Sequence, residues 1–216
     1  VKDAFRITWW SLRDTYEELF ILIGANLLAM ILFIPIVTGP PAVAGLHYLG
    51  YRIATEKRIE FGFFWEGFKS YLWDSWKLAA LNVLVFVVLG TDIWFYLVNM
   101  QGAWQALGFV GLGMLLIWTV AQLYTFPLLV RQEERKLFLL VKNAILLTLA
   151  YPAFSLTAAV LLALLLGLSL AFPILFILVG LSFSAVLEAH TLRRGIEMVE
   201  TYRARQMEEA EEEEKD

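Results

Sequence analysis

From Asn143 to Leu187 the chain runs without a single charged side chain. A membrane crossing takes roughly 20 apolar residues, so this stretch holds two, with a break expected near Gly167-Leu168-Ser169 and Pro173. In hydrocarbon every backbone polar group must find its partner inside the protein, which favours helices for such runs. Two more apolar runs fit the same description, at 78–100 and 103–130, separated by Gln101-Gly102 as a tight turn. Only 18% of the 216 residues are charged and 60% are hydrophobic, whereas a soluble domain carries about a quarter charged residues. The expected class is an all-α polytopic membrane protein. The absence of cysteine removes disulfides, thiolate catalysis and thiolate metal sites.

The placement of charge orders these runs. Turns at 38–41, 100–103 and 167–173 carry no charge, while Lys and Arg gather in 2–13, 52–77, 131–142 and 193–215. The positive-inside rule makes the charged side cytoplasmic, with both termini there. The pattern predicts six membrane helices as three hairpins in one membrane domain, residues 1–207. Its parts are an interfacial helix at 1–18, a first hairpin at 19–59 and a second interfacial helix at 60–77. A second hairpin follows at 78–130, then a third with a helical extension at 131–200. The acids crowded into 208–216 read as a solvated tail. Within 1–18, Phe5, Trp9, Leu12 and Tyr16 recur at helical spacing among charged residues, as in an amphipathic helix lying at the headgroups.

The first hairpin is the irregular one. Ile34-Pro35-Ile36-Val37-Thr38-Gly39-Pro40-Pro41 interrupts an apolar run. Proline lacks the N–H a helix interior needs and fits the first turn of a new one. Charge returns by Arg52, so the second arm is short for a crossing, and the hairpin either spans as a short one or re-enters.

Several polar residues stand out against this background. Asp92 is the one charged residue expected in the outer half, and an intramembrane ionisable group marks a candidate site. Depth estimates along the helices put Asp92 near the Thr38-Gly39 turn, where the N–H groups of the next helix could face its carboxylate. His47 and Asn82 complete a candidate polar site with Asp92, Thr38 and Gly39. Asn26, Asn82 and Gln122 also read as hydrogen-bonding glue between helices, and Glu188, His190, Arg193 and Arg194 as an ion-pair cluster at the cytoplasmic end. Gly108, Gly111 and Gly113 form a small-residue face for close helix packing. No metal-ligand set, cofactor-binding loop, nucleic-acid-binding pattern or catalytic motif is evident, so no catalytic residue is assigned.

Pro35-Ile36-Val37-Thr38-Gly39-Pro40-Pro41-Ala42-Val43-Ala44-Gly45-Leu46-His47-Tyr48, then Phe63-Phe64-Trp65-Glu66-Gly67-Phe68-Lys69, the Asp92 region, Phe126-Pro127-Leu128-Leu129-Val130 and Lys142-Asn143-Ala144 together resemble the YesL family of bacterial membrane proteins. The chain is one residue shorter than the usual family pattern between the Thr and the Pro. The resemblance implies a multi-pass protein of the bacterial inner membrane that accompanies carbohydrate uptake. Three functions follow as expectations. The first is a non-enzymatic accessory or regulatory component docking a membrane transporter subunit. The second is a small transporter or lipid- or solute-binding protein using a polar site around Asp92. The third, a membrane-embedded enzyme, would need a second convergent acid or a nucleophile.

Overall fold

The computed structural model describes residues 2–55, 59–134 and 136–213. Lys57, Arg58, Arg135 and Lys215, counted above among the charged flanks, lie outside them. All regular structure among the described residues is helical. In order these are α1 (Lys2–Glu17), α2 (Leu19–Phe33), α3 (Gly39–Thr55), α4 (Gly62–Ser70) and α5 (Leu72–Trp94). Helix α5 runs on as a π-helical turn, Phe95–Asn99. Then come α6 (Gln105–Arg131), α7 (Leu137–Ala150), α8 (Pro152–Ala171) and the short α9 (Pro173–Leu175). A second π-helical turn, Phe176–Gly180, joins α9 to α10 (Leu181–Glu213).

Four of these rods are long and apolar enough to cross a membrane: Leu72–Asn99, Gly102–Arg131, Pro152–Ala171 and Pro173–Glu212. A fifth results if α1 and α2 form one broken span, although they meet at a bend of 91°. Six membrane helices were expected, with the first hairpin short or re-entrant. Helix α2 has 15 residues, α3 has 17 and α7 has 14. At 1.5 Å per residue the longest of these reaches about 25 Å, short of the roughly 30 Å hydrocarbon core.

Local chemistry sets the breaks. The expected break before Pro173 occurs at Phe172, with Pro173 opening α9. Pro152 opens α8 in the same way and splits what reads in sequence as one apolar run. Gly102, at φ +66°, makes the turn between α5 and α6. The helix expected over 60–77 is cut at Tyr71, whose backbone leaves helical geometry at φ −111° and ψ 15°. Its buried ring is fixed there by a hydroxyl donating to Val130 O at 3.0 Å. Residues from Leu72 onward therefore belong to the long rod. Pro127 stays inside α6, which continues to Arg131, and the acidic run is helical through Glu213.

Burial is concentrated at one end of the molecule. Helix α5 buries only Ser75 and Leu78, near its charged start. Helix α6 buries Gly108 and Gly111 in its first half, then nearly every residue from Trp118 to Val130. The core there, around Tyr124, Leu128, Leu140, Phe154 and Leu187, also takes in Ala4 and Ile7 of α1. A second cluster joins α2, α3 and α4 to Ala185 of α10. The long helices thus converge where the N-terminal helices pack, and leave apolar side chains exposed elsewhere.

Close approaches come from glycine. A Cβ on Gly50 would stand 2.6 Å from Ala185 O, so α3 and α10 touch backbone to backbone. Gly108 meets Leu97 and Gly111 meets Ile93, placing two of the three residues of the expected small-residue face between α5 and α6, while Gly113 meets nothing.

Candidate functional site

The most polar part of the interior is a collar around α10, at the charged end of the helices. Its deepest member is Asn26 of α2, fully buried. Its Nδ2 donates to Phe176 O at 3.2 Å and Ile177 O at 2.7 Å, and its Oδ1 accepts from Leu181 N and Ser182 N, both at 2.9 Å. These are the backbone groups bordering the π-helical turn. A π turn disturbs the i→i−4 ladder, and in an apolar interior the freed groups need partners. One primary amide supplies both donors and an acceptor with two lone pairs.

One turn or so further along, His47 of α3 reaches Glu188 of α10. Nε2 lies 2.8 Å from Glu188 Oε2, and Nδ1 lies 2.8 Å from Val43 O. The ring stacks on Phe126 of α6 at 5.0 Å between centroids. Both partners of the imidazole are oxygens, and a carbonyl can only accept. Nδ1 therefore carries a hydrogen, and the short Nε2 contact holds one more hydrogen between the ring and the carboxylate.

His190, two residues beyond Glu188, faces a different neighbour. Its Nε2 is 2.9 Å from Asp14 Oδ2 of α1. Arg194 donates to Asp3 Oδ1 at 3.1 Å, and Arg193 donates to Ala54 O, closing the end of α3. Two positions one turn apart in the first half of α10 thus hold α1, each through an acid–base pair. On the far side of α3, Tyr48 donates to Glu66 of α4 at 2.8 Å and accepts from Arg52 at 2.8 Å. Burial pushes the Tyr48 phenol above its ordinary range, and the bond to Glu66 pushes the same way, so the hydroxyl keeps its hydrogen for that bond.

A cavity of about 560 Å³ opens between α1 and α3, lined by Arg13, Asp14, Glu17, Glu18, His190 and Arg193 among others. Thr55 and Ile59, which flank the undescribed residues 56–58, form part of its wall. A smaller cavity on the other side of the same Asp14–His190 pair is bounded by Trp10, Arg194 and Glu197. No group of three or more His, Asp or Glu suited to a metal ion occurs among the described residues.

The five residues expected to share a polar site do not gather. Thr38 precedes α3, its carbonyl accepting from Ala42 N at 3.0 Å and its hydroxyl donating to Leu32 O. Gly39 is the first residue of α3 and packs under the Phe33 ring. His47 belongs to the collar. Asn82, on α5, has a buried Oδ1 with no hydrogen-bond partner among the described residues. Asp92 is exposed. The turn that was to face it instead meets Trp76, whose Nε1 donates to Val37 O at 2.9 Å. Asp92 stands sixteen residues farther along α5, roughly 24 Å away at helical rise. The depth argument failed because α2 and α3 stay beside the start of α5.

Sequence reasoning also missed both acid partners of the histidines. The sequence places Glu188 in an ion-pair cluster with His190, Arg193 and Arg194, whereas the structure pairs Glu188 with His47 and His190 with Asp14, partners that no spacing ties together. The described residues form an all-helical protein with four helices, or five with the bent pair, long and apolar enough to cross a membrane. No family model, no curated protein and no solved structure matches the chain.

Proposed function

We propose that the protein is a non-enzymatic, accessory or regulatory component of the bacterial inner membrane that works beside a transporter, in carbohydrate uptake as the YesL resemblance implies. The charged end of the helices faces the cytoplasm on this reading, with both termini there. The chain is arranged as three hairpins, of which the first enters the membrane without crossing it. One observation carries the reading. Asn26, His47, Glu188, Asp14 and His190, all buried or half-buried, are engaged in bonds from helix to helix. They join the N-terminal helices to α10 and leave outward-facing apolar surface on α5 and α6 for a partner in the membrane. Only 6% of the most apolar window of Leu72–Asn99 is buried.

The test is affinity purification of the tagged full chain from native membranes in mild detergent. Recovery of a transporter subunit in stoichiometric amount, lost when Val83, Val87 and Val98 on the outward surface of α5 are changed to Trp, supports the reading. Recovery of the protein alone counts against it. A second reading, a small transporter or solute-binding protein, draws on Asn82, whose unpaired buried carbonyl oxygen is available to a ligand. Solute binding that Asn82→Leu abolishes would favour it.

A further inference from the structure

Helix α1 is divided into four sectors, and the division points outward. At 100° per residue, Ala4, Ile7, Ser11 and Thr15 form one stripe, and all four are buried against the rest of the protein. Phe5, Trp9, Leu12 and Tyr16 form a second stripe about 125° away, and all four are exposed, Trp9 by 68% and Tyr16 by 78%. Lys2, Arg6 and Arg13 fall in a sector about 40° wide directly beside the aromatic stripe, and all three are exposed. Asp3 and Asp14 lie on the remaining side, next to the buried stripe, and turn inward to Arg194 and His190 of α10. The acidic side of the helix is therefore neutralised by the protein, while the basic side borders open aromatic surface.

Among the described residues the two arginines of this sector have only local partners. Arg6 pairs with Asp3 at 3.1 Å and lies over the Trp10 ring at 4.9 Å, and Arg13 pairs with Glu17 at 2.7 Å. Exposed pairs of this kind are weak and exchange readily for another anion. The 91° bend to apolar α2 lays the axis of α1 across the direction in which the chain enters hydrocarbon. Aromatic side chains flanked by basic ones, on a helix lying in the plane, suit the boundary between acyl chains and headgroups.

We propose that the outer side of α1 is a docking surface for anionic phospholipid, with Phe5, Trp9, Leu12 and Tyr16 seated at the headgroup boundary and Lys2, Arg6 and Arg13 holding lipid phosphates. The proposal rests on the membrane placement of the chain and is independent of any transporter partner. Phosphate groups of the leaflet match the basic sector in charge, which an apolar helix of another subunit would not.

The chain has no cysteine, so single cysteines introduced as Trp9→Cys and Tyr16→Cys can each carry a nitroxide. The full chain is placed in nanodiscs of phosphatidylcholine with a quarter phosphatidylglycerol. Collisions with dissolved oxygen should exceed those with a water-soluble nickel chelate at both labels. Protein extracted into mild detergent should retain phosphatidylglycerol enriched about fivefold over its share in the disc, and the combined Lys2→Gln, Arg6→Gln, Arg13→Gln variant should lose that enrichment. Three results overturn the proposal. They are labels open to the chelate, labels broadened by a second copy of the chain, and equal retention of phosphatidylglycerol by wild type and the triple variant. Circular dichroism identical to wild type shows that each variant has folded. Should the triple variant not fold, Lys2→Gln with Arg13→Gln alone replaces it, with partial loss expected and unchanged retention overturning the proposal.

Discussion

His47 and Glu188 approach to 2.8 Å between Nε2 and Oε2, and this bond ties α3 to α10 across 141 residues of sequence. Because Nδ1 already donates to Val43 O, the carboxylate and the ring share a hydrogen. An amide in place of the carboxylate could supply that hydrogen itself. Glu188→Gln should therefore unfold within about 1 kcal/mol of wild type, while Glu188→Ala, which strands the imidazole, should lose about 2–4 kcal/mol. Denaturant titration of the reconstituted protein, followed by circular dichroism, separates the two. Equal losses would show that an amide hydrogen does not take the place of the shared one.

Asn26 makes a comparable link with four backbone partners. Asn26→Leu keeps the volume and removes both the donors and the acceptor. The amides of Leu181 and Ser182 then face an apolar wall beside a π turn. A loss of about 2–4 kcal/mol is expected, the lower end applying if the turn relaxes to α-helix. Hydrogen exchange should accelerate at Leu181 and Ser182 and stay unchanged in α5, which does not touch the site.

How much of this was legible in the sequence depended on the range of the interaction. Helix type and the breaks at Pro173 and Gly102 follow from local rules, and of the three amides read as glue Asn26 joins two helices, while Gln122 bonds within α6 and the Asn82 Oδ1 has no partner among the described residues. The partner of Asn26 was not legible, since a π turn leaves no composition signal at Phe176–Gly180. The pairing of His47 with Glu188 and of His190 with Asp14 depends on how α1 and α3 lie across α10, which backbone contact at Gly50 decides. The error at Asp92 had a different source. It took the depth of the turn from the residue count along α2, whereas the bond from Trp76 to Val37 holds that turn beside the start of α5.

The α3–α10 contact gives a paired test. Gly50→Ala drives a Cβ to 2.6 Å from Ala185 O, where no side chain can yield. It should cost about 1–3 kcal/mol. Gly113→Ala, on a helix face where a Cβ meets nothing, should be neutral or stabilising by about 0.5–1 kcal/mol through helix propensity. Thermal unfolding of both in the same detergent checks the contrast, and it also distinguishes backbone contact from a general sensitivity of helix glycines.

Ile36 adopts φ +61° in the turn between α2 and α3. A β-branched residue in the left-handed region carries a penalty of about 1–2 kcal/mol, and its side chain is largely exposed, so little packing offsets it. Ile36→Gly relieves the clash at some entropic cost in the unfolded chain, and a net gain of about 0.5–1 kcal/mol is expected. A lower unfolding midpoint for Ile36→Gly would mean that the side chain has a packing role in lipid that the protein interior does not show.

Trp76 and Asp92 sit on the same helix, and Trp76, not Asp92, meets the turn before α3. Trp76→Phe keeps the ring and deletes the N–H that donates to Val37 O, leaving a carbonyl of the turn without that partner. A loss of about 1 kcal/mol is expected, with faster exchange at the start of α3. Asp92→Asn removes a charge that is exposed and has no hydrogen bond or ion pair among the described residues. Its effect on unfolding should stay within about 0.5 kcal/mol. If Asp92→Asn instead weakened the protein as much as Trp76→Phe, the carboxylate would have a partner outside this chain, and crosslinking from position 92 in native membranes would identify it.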